Sequence, residues 1–184
     1  KSFEDSPGYS YLPEGEELYD DFEFDFDLDH PVHDIFYDEG VFVGYRWYEE
    51  KNIEPLYPFG FGLSYSEFKY DELWAIKANF NSEEDVLVKV SISNVSDIRG
   101  KEIIQLYVRD PECSVDRPKK ELKGFRKVEL AANETKVVVF RLTSRDFSFW
   151  DERSGSWKLE PGTFEIIAAS SSRAPQLKTT INIE

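Results

Sequence analysis

Asp85–Ser96 reads "DVLVKVSISNVS". Val86, Val88, Val90 and Ile92 fall on one side of an extended chain, and Leu87, Lys89, Ser91 and Ser93 on the other. That period of two belongs to a strand with one dry face. Working outward, "SEFKYDELWAI" (66–76) lies before it. After it come "KEIIQLYVRDP" (101–111), "ELKGFRKVEL" (121–130), "TKVVVFRLTS" (135–144), "FSFWDE" (147–152), "GSWKLE" (155–160), "GTFEIIAASS" (162–171) and "QLKTTINIE" (176–184), all strand-like. In 135–144, Val137 and Val139 alternate with Val138, Phe140 and Leu142, so both faces are apolar and the strand is expected at a sheet centre. Ser154-Gly155, Pro161-Gly162 and Ala132-Asn133 supply turns between these runs. No stretch reads as a helix. The expected fold is all-β: one antiparallel sandwich over residues 64–184, with Trp74, Tyr107, Phe125, Phe140, Phe149 and Phe164 in or bordering its core.

Before Ser64 the texture breaks. Pro7, Pro13, Pro31, Pro55 and Pro58 interrupt any long element and hold the residue before each one extended. Residues 1–63 carry many aromatics and no pattern for burying them among themselves, so they read as chain laid over another body. Within them Asp21–Asp29 reads "DFEFDFDLD". The preferred reading is an extended segment that docks Phe22, Phe24 and Phe26 on a neighbouring domain, with the intervening acids in water as gatekeepers against edge pairing. A solvated acidic segment and an irregular calcium site are the alternatives. An EF-hand loop starting at Asp25 fails, because His30 stands where Gly is required and Phe36 where Glu is.

Composition removes several function classes. A net charge of −15 and a pI near 4.6 repel phosphate backbones and anionic membranes, so neither nucleic acid nor a membrane is an expected partner. Cys113 is the one cysteine, which excludes an intrachain disulfide, and its acidic neighbours argue against a reactive thiolate. The chain has no Met, even at position 1, and is expected to begin inside something longer or after a cleavage. His30 and His33 in "DHPVHD" lack a third soft ligand and read as loop residues. Glu16-Glu17 and Glu49-Glu50 read as solvated charges rather than a catalytic pair. There is no phosphate-binding glycine loop and no nucleophile elbow, and no cofactor is expected. Asn94-Val95-Ser96 and Asn133-Glu134-Thr135 fit the N-glycosylation pattern, which is short and common.

Longer patterns are more specific. "GVFVGYRWYEEKNIEPLYPFGFGLSYSEFKY" (40–70) resembles the junction leading into the C-terminal domain of glycoside hydrolase family 3, the β-glucosidase-type enzymes. "GKEIIQLYVRDPECSVDRPKKELKGFRKVEL" (100–130) and "WKLEPGTFEIIAASSSR" (157–173) resemble that family's fibronectin type III-like domain. The resemblance implies an immunoglobulin-like sandwich, with residues 1–63 as linker and tail of a preceding α/β domain and 14–36 as an insertion in it. It also implies catalytic partners, a TIM-like barrel and an α/β sandwich domain, which carry the nucleophile and the acid/base. Neither catalytic motif is present here, so the chain is expected to be a non-catalytic accessory region. A stand-alone carbohydrate-binding or adhesion module is the alternative. Phe22, Phe24, Phe26, Tyr45, Arg46, Trp47, Tyr48, Tyr57, Phe59 and Phe61 are the candidate interdomain or sugar contacts. Phe61 departs from the family, where His or Tyr is common between the two glycines.

Overall fold

The computed structural model describes residues 39–184, and the chain divides into two compact units, one ending at Leu56 and the other spanning Tyr57–Glu184. The described part of the first unit is built around the helix α1 (Tyr45–Glu50), entered through Gly44 at φ 59° and left through Asn52 at φ 55°. Arg46 reaches back to donate to the Val41 carbonyl at 3.3 Å, and the Lys51 ammonium lies 4.9 Å from the centre of the Trp47 ring.

In the second unit ten strands and one short helix follow in order: β1 (Phe68–Ala75), β2 (Asn79–Phe80), β3 (Val86–Asn94), β4 (Gly100–Arg109), β5 (Glu121–Leu130), β6 (Thr135–Leu142), α2 (Ser144–Phe147), β7 (Phe149–Asp151), β8 (Ser156–Lys158), β9 (Gly162–Ser171) and β10 (Ala174–Ile183). One sheet runs β1-β3-β6 and the other β2-β10-β9-β4-β5, with β7 and β8 forming a separate hairpin. Val86, Val88, Val90 and Ile92 of β3 face Ile104, Leu106, Val108, Phe164, Ile166 and Ile181 of the larger sheet, and all are essentially fully buried. Their alternation is the pleat itself, so the sequence pattern of β3 becomes one wall of the core. Gly124 of β5 sits where Phe140 of β6 comes across, and a Cβ there would lie 3.2 Å from the ring. The chain is an all-β sandwich.

Four expectations need correction. β6 is an edge strand, because β3 and not β6 lies between its neighbours; Val137 and Val139 point to the open face and are about half exposed. Apolar residues on both faces therefore do not mark a sheet centre here. Phe125 lies on the outer face of β5 and is 62% exposed rather than at the core. The sheets are antiparallel except where β2 runs parallel to β10. Two helices exist among the described residues, of six and four residues, too short to leave a periodic signal. The second is set by Asp146, whose carboxylate accepts from the Thr143 amide at 2.7 Å and the Thr143 hydroxyl at 3.0 Å.

Candidate interdomain interface

Strands β4 and β9 are buried on both faces, and the second burial makes the surface of interest. Residues Ile104, Leu106 and Val108 of β4 point into the core, while Gln105 and Tyr107 point outward and are equally buried. Opposite them on β9 stand Ala169 and Ile167, also buried. Two segments of the chain cover this outer face.

One is the strap 57–63, "YPFGFGL". The Ser172 amide donates to the Phe59 carbonyl at 2.8 Å, and Phe61 N–H closes a turn on the Pro58 carbonyl at 2.9 Å. Gly60, at φ 83°, lies so close to Gln105 that an added Cβ would stand 1.8 Å from its Nε2. Only glycine accepts both that backbone conformation and that approach. Gln105 is itself fixed: its amide donates to the Ser170 carbonyl at 3.3 Å, and its oxygen accepts from the Tyr107 hydroxyl.

The other cover is the β4–β5 loop. Pro118 and Lys120 are buried, with the Lys120 ammonium 5.6 Å from the Tyr107 ring centre. Arg117 anchors the loop, ion-paired with Asp110 at 3.4 Å and with Glu121, and donating to the Phe147 carbonyl at 3.0 Å. Burial works against the Arg117 charge, yet Glu121 and Asp110 hold its pKa above the ordinary arginine value. At the loop's far end Glu160 accepts from the Ser114 hydroxyl at 2.6 Å and the Ser114 amide at 3.0 Å, with Lys158 at 2.9 Å. Those donors pull the Glu160 carboxyl down to about 2. Cys113 lies 3.9 Å from Glu160, and its thiol is pushed up first by burial and further by Asp110, which leaves little thiolate.

The strap has two unlike sides. Its inward side is glycine and backbone. Its outward side presents Tyr57, Phe59, Phe61 and Leu63, continued by Tyr65, all exposed and the last two almost completely so. Tyr57 and Phe61 form a tilted ring pair with centroids 5.6 Å apart. Ile103 and Phe125 extend the exposed apolar surface on the outer face of the same sheet. Between the strap and Lys101, Ile103, Ser171 and Ala174 is an open cleft of about 340 Å³. An apolar patch of this kind is unusual for surface left in water.

Among the sequence candidates, Tyr57, Phe59 and Phe61 are brought together on the strap, whereas Tyr45, Arg46, Trp47 and Tyr48 lie on α1 and are half-buried rather than presented as open ring faces. Phe22, Phe24, Phe26, Glu16, Glu17, His30 and His33 lie outside the described residues. Glu49 and Glu50 close α1. Among the described residues no group of three or more His, Cys, Asp or Glu side chains could hold a metal ion. Also among them, no helix is long and apolar enough to cross a membrane. Of the two glycosylation patterns, the one at Asn94 is closed. Its Nδ2 donates to the carbonyls of Ile98, Ala131 and Leu130 in a buried pocket, whereas Asn133 stands exposed on a turn at φ 58°.

Residues 102–172 match the fibronectin type III-like domain family. The chain carries a fibronectin type III-like domain. It is 46% identical over 147 residues to thermostable beta-glucosidase B of Acetivibrio thermocellus, and 45% identical over 149 residues to beta-glucosidase BoGH3A of Bacteroides ovatus. Each match takes in 80% of this chain but 20% of the relative, so the chain spans about one-fifth of the length of those curated proteins. The crystal structure of a Bifidobacterium adolescentis GH3 beta-glucosidase superposes on 98% of this chain, with a TM-score of 0.82 at 34% identity, and this takes in 24% of that chain. In these relatives the domain is one part of a larger hydrolase chain.

Sequence reasoning passed over one exposed aromatic group. Trp150 and Trp157 stand directly opposite each other on the β7–β8 hairpin, with ring centroids 5.5 Å apart. The signal available was Trp at alternate positions to Phe149 in "FSFWDE", which places Trp150 on the face away from the core.

Proposed function

We propose that this chain is a non-catalytic accessory region of a family 3 β-glucosidase, and that its strap is where the catalytic domains of the parent rest. In this reading residues up to Leu63 are the linker, 64–184 the sandwich, and the retaining hydrolysis of β-glycosidic bonds is carried out by carboxyls outside this chain. The observation that carries it is the outward side of the strap: an apolar surface fixed to the sheet on its inner side and exposed on its outer side among the described residues. A fixed aromatic patch is suited to burial against a partner, because the sheet has already removed the freedom that docking would otherwise cost.

The test compares the parent enzyme with the 184-residue chain, each carrying Tyr57→Ser, Phe59→Ser and Phe61→Ser together. The parent is expected to melt several degrees lower and to become more sensitive to proteolysis between its domains, while the chain alone keeps its melting temperature. A parent that melts and turns over unchanged removes the strap from the interface. The pure chain is expected to hydrolyse no aryl β-glucoside; activity abolished by substituting one of its own carboxylates would overturn the accessory reading.

A further inference from the structure

We infer that the β7–β8 hairpin is a weak binding platform for a neutral pyranose oligosaccharide, built from Trp150, Trp157 and Arg145. The strap suits a protein surface, and the hairpin does not.

The hairpin has an inner and an outer face. Phe149 seats the inner face in the sandwich, with the Arg117 guanidinium 6.0 Å from its ring centre. Trp150 and Trp157 share the outer face, their rings inclined at 60° and each left 49% and 44% exposed respectively. Arg145, on α2 two residues before the buried Phe147, lays its guanidinium on the Trp157 ring, 3.1 Å from the centroid. Stacking on an indole fixes the guanidinium plane.

What is unusual is that this arginine is exposed and makes no ion pair among the described residues, in a chain with 37 acidic and 22 basic side chains. Its neighbour Asp146 is committed to the Thr143 amide and hydroxyl. A cross-strand Trp pair by itself stabilises a hairpin. That role explains why the rings lie side by side, but not why a guanidinium with no ion pair among the described residues is held against one of them.

Size and charge select the occupant. The two half-exposed residues offer roughly 230 Å² between them, taking about 250 Å² for a whole tryptophan. A stable protein interface needs about 800 Å² from each partner, so the platform is too small for one. It matches the face of one or two sugar rings. The axial C–H groups of a pyranose suit an indole face, and its hydroxyls accept from a guanidinium that is already oriented. A chain of net charge −15 repels polyuronates and other anionic glycans, which leaves neutral sugars. One stacked ring with one or two hydrogen bonds gives a dissociation constant on the order of 1 mM.

The test follows the four indole N–H signals, Trp47, Trp74, Trp150 and Trp157, in the 184-residue chain as cellohexaose is added. Trp150 and Trp157 are expected to shift with a saturating curve while Trp47 and Trp74 stay in place. Trp150→Ala and Arg145→Gln are each expected to weaken binding about tenfold, a change of 1.4 kcal/mol by the usual conversion. If Trp150→Ala loosens the hairpin, Arg145→Gln carries the comparison alone, because it leaves both indoles and every hydrogen bond described above intact. Hexagalacturonate of the same length is expected not to compete. No shift at about ten times the expected constant, equal shifts at all four indoles, unchanged binding by Arg145→Gln, or equal binding of the hexauronate would each overturn the inference.

Discussion

At β4 and β9 both faces of the larger sheet are buried, yet they are closed in different ways. On the inner face Ile104, Leu106, Val108, Phe164, Ile166 and Ala168 meet the branched side chains of β3, apolar against apolar. On the outer face Gln105 and Tyr107 are held by hydrogen bonds and covered by a glycine turn and an ion-paired loop. The inner closure is non-directional and depends on volume. The outer closure is directional and depends on a few named groups, each costly to leave unpartnered. The difference teaches that the outer cover is an adapter: it satisfies the sheet on one side and exposes aromatics on the other.

That comparison can be broken at several points, beginning with the loop. Arg117→Ala strips Asp110 of its cation and leaves Glu121 with Lys123, at 3.6 Å, in a site where both carboxylates are largely buried, and is expected to cost about 3–5 kcal/mol in urea unfolding. A loss near zero would mean that the outer face is not held by this cluster. On the inner face Leu106→Ala opens a void in a fully buried site and is expected to cost about 2–5 kcal/mol, with hydrogen exchange rising across both sheets. Exchange confined to β4 would contradict a single shared core.

Gly60→Ala must strain the strap at φ 83° and push on Gln105, whose side chain is already bonded at both ends. The expected cost is about 1–3 kcal/mol, with faster cleavage of the strap by protease and little change inside the sandwich. A variant as stable and as protease-resistant as the parent chain would show that the strap is merely resting there.

Glu160 gives a smaller, pH-dependent effect. Its folded-state pKa of about 2 lies below the ordinary carboxylate value, with the Ser114 hydroxyl as the largest cause. The sign follows: its contribution is fully present above the unfolded-state value near 4.5 and is lost as pH falls toward 2. The melting-temperature gap between the chain and Glu160→Gln is therefore expected to be open at neutral pH and to close on acidification. A gap that is constant with pH would assign the effect to shape rather than charge. The smallest effect sharpens the contrast: Tyr57→Ser with Phe61→Ser is expected to change the stability of the chain alone by no more than about 0.5 kcal/mol, because those rings face outward.

The amino-acid order by itself determined the β architecture. Val86, Val88, Val90 and Ile92 can satisfy their alternation only as one face of a pleated strand, and the Asn133 and Gly155 turns sit at left-handed φ as their residue types allow. Nine of the strands were legible from such local patterns; β2, two residues long and parallel to β10, left none. Tertiary structure alone decided which apolar face meets another. Val139 and Phe140 are neighbours in one strand of similar hydrophobicity, yet Phe140 is 3% exposed and Val139 47%, because the second sheet lies on one side of β6 and not the other. The same holds for the aromatic segments. Tyr48 and Tyr57 sit in equally aromatic surroundings in the sequence, but Tyr48 is half-buried on α1 and Tyr57 is held outward by a turn seated on Gln105. Burial is a relation between distant residues, so a local pattern can say that a side chain is able to be covered but not what covers it.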